Sequence, residues 1–345
     1  MEDILLKLQD LSVSYTDLDG AIVKAVQGVS FDVQKGECFG LVGESGSGKT
    51  TVAKAILKLL PPNAKLAGGT ILLKGKDITA LSEKEMDRLR WAEISLVAQS
   101  AMNALNPVAR ISNQMLETFN AHANQTSGDE DALQKCTRLF EMVGLNKNRI
   151  FDYPHQFSGG MRQRVVIAMA LALNPSLIIA DEPTTALDVI MQAQIINLLK
   201  SLSNELGISV ILITHDMGIV AEMCHRVGVM YAGRLMEYGD IHKVFNTPRH
   251  PYTMGLKGAF PSIGDLKKSL ISIPGSPPML VNRPPSCGFW ERCPFSIDQC
   301  KKEVPEPVMI EEDHTVACYR SQDAKKFRNE IKDIFAAKAG LALQR

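Results

Sequence analysis

A short apolar run, "ECFGLVG", leads straight into "GESGSGKT", Gly43 to Thr50, and then into the helically spaced "KTTVAKAILKLL". No other stretch constrains the fold as strongly. It fits G-x-x-x-x-G-K-[ST] between a strand and a helix. Gly43, Gly46 and Gly48 keep the backbone bare, so its N–H groups can close around phosphate oxygens. The helix N-terminus adds its positive end. Lys49 would reach the terminal phosphates and Thr50 would offer its hydroxyl to Mg²⁺, with Ser45, Ser47 and Thr51 completing the cradle. A flexible surface loop is the alternative, and the strand–loop–helix context weighs against it.

The rest of the chain supplies the sheet such a loop needs. "LLKLQDLSVSY" and "VQGVSFDV" read as strands with interleaved polar residues. "GTILLKGKDI", "ISLVAQ", "SLIIADEP" and "ISVILITHD" read as further strands, the last two as buried ones. Ser82 and Glu85 stand at capping-box spacing, so a helix starts there. From about Ala101 to Leu173 the pattern is mostly helical. "IMQAQIINLLKSLSNELG" is an amphipathic helix closed by Gly207. "RVGVMYAGRLMEYGD" reads as a hairpin turning at Ala232-Gly233. From Ser321 to Arg345 the spacing predicts a solvated helix. Strands alternating with helices predict an α/β fold with a mostly parallel sheet covered on both faces. Ligands bind such sheets beyond the carboxyl ends of the strands. Gly43 to Thr50, Asp181-Glu182 and His215 all fall at strand ends.

Composition narrows the field. The chain has 345 residues, 45% hydrophobic and 22% charged, enough for a sizeable core. Its 38 basic residues balance 38 acidic ones, so the basic surplus of a general nucleic-acid binder is missing. "MEDILLKLQD" has no basic n-region, so no secretory signal is expected. The longest apolar run, "VVIAMALAL", is too short to span a bilayer. A membrane role would come through a partner.

Two more polar groups bear on chemistry. In "LIIADE" a buried strand would deliver Asp181 to the neighbourhood of a metal, and Glu182 could polarise a water for attack on a terminal phosphate. An N-cap role before "PTTALD" is the alternative reading. "FSGGMRQR", Phe157 to Arg164, places Ser158, Gly159 and Gly160 ahead of a helix. That makes either a second anion-binding terminus or a plain helix start.

Together these motifs resemble the ATP-binding-cassette family over about residues 4 to 245. The resemblance implies a P-loop core with an antiparallel β subdomain and a helical subdomain. It makes Ser158 to Gly160 the signature motif and Gln99 the glutamine that contacts metal and attacking water. His215 becomes the switch histidine on the terminal phosphate, and "TALD", Thr185 to Asp188, the segment that touches the opposite subunit. Tyr15 matches the aromatic that stacks on adenine. Met161 stands where many members have glutamine. Thr50, Gln99 and Asp181 would serve Mg²⁺, and Glu182, His215 and Gln99 the hydrolysis of ATP. The family pairs two ATPase chains around two ATP molecules, and the helical segment docks on a transmembrane partner.

"TPRHPYT", "IPGSPPML" and "SCGFWERCPF" narrow the resemblance to ATPase subunits of oligopeptide and dipeptide importers. Four of the seven cysteines, Cys287, Cys293, Cys300 and Cys318, cluster there as C-x₅-C-x₆-C-x₁₇-C. With no export signal, a disulfide framework is not expected. The residues alone leave an iron–sulfur cluster, zinc and unliganded thiols open. Tighter C-x₂₋₄-C pairs typical of zinc are absent, and Pro294 after Cys293 suits a cluster. The resemblance implies a 4Fe–4S cluster rather than zinc.

Four segments follow: 1–100, β subdomain and first part of the core; 101–173, helical subdomain; 174–260, second part of the core; 261–345, a Pro/Cys-rich extension with a terminal helix. The implied partners are a second, related but non-identical ATPase chain, two transmembrane permeases and an extracytoplasmic solute-binding protein, with no nucleic acid. The implied place is the cytoplasmic face of a membrane, held peripherally. Oligosaccharides or nickel are alternative cargoes. A soluble cassette ATPase acting on nucleic acid or the ribosome is the alternative of another class, and no coiled-coil insertion, tandem cassette or basic arm supports it. A non-hydrolytic redox regulator is opposed by the presence of Glu182 and His215.

Overall fold

The computed structural model describes residues 4–99, 104–122, 129–259, 273–281 and 285–342. Its strands are β1 (Ile4–Thr16), β2 (Ile22–Gln34), β3 (Cys38–Val42), β4 (Ala64–Leu73), β5 (Lys76–Asp77), β6 (Ile94–Val97), β7 (Leu177–Asp181), β8 (Ser209–Thr214), β9 (Arg226–Tyr231), β10 (Arg234–Asp240), β11 (Val308–Glu311) and β12 (His314–Val316). Its helices are α1 (Lys49–Ile56), α2 (Glu83–Leu89), α3 (Ile111–Asn120), α4 (Asp129–Met142), α5 (Gly159–Ala170), α6 (Val189–Leu206), α7 (Met217–Met223), α8 (Ile241–Asn246), α9 (Pro251–Gly258), α10 (Asp298–Lys302) and α11 (Ala324–Ala342). Among the described residues no helix is long and apolar enough to cross a membrane.

The described residues fall into two compact units. One draws on Met1–Leu5, Gln34–Cys38 and Ala80–Ile213. Its strands β8, β7 and β6 lie side by side and parallel, with Ile179 opposite Leu96 on one side and Ile211 on the other. Every residue of β7 and β8 is buried, which is why both read as unbroken apolar runs rather than alternating ones. Helices α3 to α5 supply the helical stretch expected before Leu173. Ser82 and Glu85 form the expected capping box on α2. Gly207 ends α6 in the left-handed conformation that a side chain would resist.

The other unit draws on Leu6–Val33, Phe39–Thr79 and Thr214–Arg345. It holds an antiparallel sheet in the order β2-β1-β4-β5, and a second run ordered β11-β12-β10-β9-β3. β9 and β10 form the expected hairpin, with Tyr231 opposite Arg234. The stretch "GTILLKGKDI" is two strands, β4 and β5, because Lys74 and Gly75 both take positive φ and reverse the chain.

The terminal helix departs from expectation. Helix α11 is not solvated all round. Phe327, Ile331 and Phe335 recur every four residues and are buried at 1%, 2% and 1% exposure. Phe327 stacks on Phe295 with centroids 3.9 Å apart, and α11 packs against α9. The many lysines hid a narrow apolar stripe.

Candidate nucleotide site

The phosphate loop leaves β3 and enters α1. Two of its glycines are forced. Gly43 has φ 154°, and a Cβ there would stand 2.1 Å from the Met230 carbonyl oxygen. Gly48 has φ 103°, and its Cβ would stand 2.4 Å from the Ala25 carbonyl oxygen. No side chain fits either place. Lys49 is 5% exposed. Its Nζ donates to the carbonyls of Gly43 at 2.8 Å and Glu44 at 2.9 Å, and to Ser47 Oγ at 3.3 Å. The ammonium is therefore folded back across its own loop. Ser45 and Gly46 are exposed at the tip, and Thr50 is half-buried. Tyr15 reaches the same helix start: its hydroxyl lies 3.2 Å from Thr51 Oγ1. His215 follows β8 as an exposed residue, and the next residue, Asp216, caps α7.

In the other unit, Asp181 ends β7 with 4% exposure. Glu182 follows with φ 46°, a left-handed conformation that costs a non-glycine residue about 1–3 kcal/mol. Its backbone N–H donates to the Ile213 carbonyl at 2.8 Å, and its carboxylate accepts from Gln99 and Thr185. Such strain at a strand end is held only where the surroundings over-determine it. Ser158 is the N-cap of α5, and its hydroxyl accepts from the Met161 N–H at 3.4 Å. Gly160 faces Met191, whose Cε would lie 2.0 Å from an added Cβ. Met161 takes a bond from Arg149 through its sulfur. Asp188 caps α6 by accepting from the Met191 N–H at 2.9 Å. The N-cap role weighed for the acids of the "ADE" stretch thus falls to Asp188, six residues beyond Glu182.

Beyond these, the structure singles out residues that sequence reading passed over. The "TPRHPYT" stretch opens α9. Burial pushes the His250 imidazole down to about 3, so the ring is neutral and its Nδ1 accepts from the Tyr252 N–H at 3.0 Å. The fully buried Tyr252 hydroxyl accepts from the backbone N–H of Glu44 at 2.9 Å. From the cysteine-rich segment, Arg292 donates to Glu44 Oε2 at 2.7 Å. More than 240 residues of chain separate this pair, so no local spacing could have signalled it. Glu237, 1% exposed, accepts from the N–H groups of Arg249 and His250 and from His314 Nε2 at 2.8 Å.

The four clustered cysteines line one small pocket of roughly 20 Å³, walled by Phe289, Trp290, Phe295 and Phe327. Burial, with the neighbouring thiols adding to it, pushes Cys293 up to about 12, and Cys318 likewise to about 12. Among the described residues no group of three His, Cys, Asp or Glu side chains stands close enough to hold a single metal ion.

A phosphate loop closing on a buried lysine defines a P-loop nucleotide-binding protein. Comparison with known proteins narrows the class. Residues 26–185 match the family model "ABC transporter", and residues 236–300 match "Oligopeptide/dipeptide transporter, C-terminal region". The chain is 46% identical over 318 residues to the dipeptide transport ATP-binding protein DppD of Bacillus subtilis, covering 91% of this chain and 94% of that one. It is 44% identical over 305 residues to the oligopeptide transport ATP-binding protein OppD of Escherichia coli, covering 88% and 89%. Among solved structures, CbiO1 of Clostridium perfringens, part of the ABC transporter complex CbiONQ, matches with a TM-score of 0.61 at 31% identity over 71% of this chain and 92% of that one. The dimeric bacterial ABC transporter cassette MJ0796 matches with a TM-score of 0.59 at 30% identity, over 68% and 98%. The chain belongs to the ABC transporter family, among the ATP-binding subunits of its oligopeptide and dipeptide branch.

Proposed function

We propose that this chain is the ATP-hydrolysing subunit of a membrane importer for peptides. The observation that carries the peptide reading is the match of residues 236–300 to the oligopeptide/dipeptide C-terminal region, beside the ABC transporter match over residues 26–185. Lys49 and the loop N–H groups bind the phosphates, and Tyr15 stacks on the base. Thr50, Gln99 and Asp181 offer hydroxyl, amide and carboxylate oxygens, the hard donors that suit Mg²⁺. Glu182 accepts the proton of the attacking water, and Gln99 orients it. His215 holds the terminal phosphate. Ser158, Gly159 and Gly160, with Asp188, serve nucleotide held by a second ATPase chain. ATP thereby becomes part of the interface, and hydrolysis releases it.

The partners in this reading are a related, non-identical ATPase chain, two permeases and an extracytoplasmic binding protein. The ATPase pair sits on the cytoplasmic face of the membrane. The segment boundaries at 100, 173 and 260 follow the same family plan.

Four cysteines around one pocket, with the neutral His250 engaged in capping α9, suit the thiolate set of a 4Fe–4S cluster. Each thiolate of such a cluster binds a different iron, so the four need not crowd around one ion. Bound there, the cluster would tie together a segment short of core of its own. The chain's part is to hold Cys287, Cys293, Cys300 and Cys318 around one pocket.

The test is reconstitution with the permeases and solute-binding protein that co-purify with it. Peptide-loaded binding protein should stimulate phosphate release and peptide uptake. Stimulation by an oligosaccharide or nickel instead, with none by peptides, would overturn the peptide reading while leaving the ATPase intact.

A further inference from the structure

We propose that Arg292 is a positioning residue for the nucleotide site: the carboxyl-terminal extension grips the phosphate loop through Glu44 and sets its affinity for ATP. The inference rests on the P-loop reading above and adds a residue outside the cassette motifs.

Glu44, the second residue of the loop, is held by three side chains. Its N–H donates to Tyr252 Oη at 2.9 Å. Its carbonyl accepts from Lys49 Nζ at 2.9 Å. Its carboxylate accepts from Arg292 at 2.7 Å. Two of these three supports come from residues beyond the loop, and one comes from the cysteine-rich segment. Because the same residue also holds Lys49, the place of Glu44 bears directly on the cation that meets the phosphates.

Arg292 is built for this. Its guanidinium also donates to the Tyr231 hydroxyl at 3.0 Å, and to the carbonyls of Pro274 and Ile273, each at 3.0 Å. The side chain is 8% exposed and Glu44 is 23% exposed, so water screens the pair only partly. The planar fork is held against the rings of Tyr231 and Phe289. Those rings pack in turn on Tyr252, with centroids 4.5 and 5.3 Å away. Arg292 precedes Cys293, and Phe289 lies two residues after Cys287. One aromatic block thus carries the order of the cysteine pocket to the first turn of the phosphate loop. A rigid, pre-organised loop loses less freedom on taking up phosphate, which is the physical source of the affinity gain.

The full-length chain is titrated with MgAMP-PNP by calorimetry as wild type, Arg292→Ala, Arg292→Lys, Glu44→Gln and the double variant Arg292→Ala/Glu44→Gln. Arg292→Ala and Glu44→Gln should each raise Kd about fivefold or more. Arg292→Lys should recover part of the loss, because it keeps the charge but not the fork. The double variant should bind no more weakly than the worse single one. In the assembled transporter the KM for ATP should rise while kcat holds. Single-variant Kd values within about twofold of wild type, or losses that add in the double variant, would overturn the inference. Should Arg292→Ala fail to fold, the near-isosteric Glu44→Gln decides alone. Lys49→Ala is the control. A wild type that binds no probe would sink the P-loop reading itself, whereas normal binding with indifferent variants sinks only the role of Arg292.

Discussion

Gln99 Nε2 donates to Glu182 Oε2 at 3.1 Å, and Thr185 Oγ1 donates to the same oxygen at 3.0 Å. Two donors on one carboxylate oxygen fix the direction in which the glutamate faces. In the proposed reading the backbone strain at Glu182 has a use, since it would aim the base from the end of a buried strand.

Glu182→Gln keeps the shape of the side chain and removes its basicity. Turnover should fall about 10²- to 10⁴-fold while ATP binding persists. Phosphate release by the assembled complex, beside retention of labelled ATP, measures both. Normal hydrolysis by this variant would remove Glu182 from the role of base.

Lys49→Ala takes away the one ammonium folded into the phosphate loop. ATP affinity should drop by at least about tenfold, since a charge-assisted contact to the phosphates is lost. Fluorescent nucleotide titration checks it. Unaltered affinity would mean that the loop does not use this cation.

The extension should loosen with rising pH. Burial opposes charging of His314, yet its bonds to Glu237 and Glu311 prevail and hold its pKa above the ordinary value. A raised folded pKa adds stability that is complete below the unfolded value, about 6.5, and is lost as pH climbs through the folded one. Limited proteolysis of the tail from pH 6 to 9 should accelerate in the wild type. In His314→Gln it should be fast throughout and flat. A wild-type profile with no pH trend would rule out the ion pair as the tether.

Phe327→Ala removes a buried ring stacked on Phe295. Substitutions of this kind cost about 3–5 kcal/mol. Helix α11 should become protease-sensitive while ATP binding by the cassette continues. Equal protection of wild type and variant would return α11 to the solvated helix first expected.

The cysteine pocket makes a spectroscopic forecast. Protein purified without oxygen should be brown, with about four irons per chain, and Cys287→Ser should lose the colour without unfolding the cassette. Metal analysis and visible absorption decide it. Colourless, iron-free wild type under those conditions rejects the cluster.

The local motifs proposed for the nucleotide site could be read from sequence because each is built from adjacent residues. The loop from Gly43 to Thr50, the β7 acids and the Ser158 turn each join one strand or cap to the next helix, so a few adjacent residues declare them. The β9–β10 hairpin, the capping box of α2 and the Gly207 end of α6 were legible for the same reason. What stayed hidden depends on distant pairing. Glu237 with His314, and Glu44 with Arg292, have no spacing rule to betray them. Helix α11 was misjudged because charge counts drowned a stripe only one residue wide. "TPRHPYT" was recognisable as a motif, but its physics came only with the fold: a neutral imidazole caps a helix and aims the next tyrosine at the loop.

Of the two tryptophans in the chain, Trp290 stands in the wall of the cysteine pocket, while Trp91 gives its indole N–H to the Met169 carbonyl in the other unit. Nature has therefore installed an optical gauge beside the sulfurs. An occupant of that chamber that absorbs light should dim the Trp290 lamp, so filling and emptying could be followed in real time without a dye.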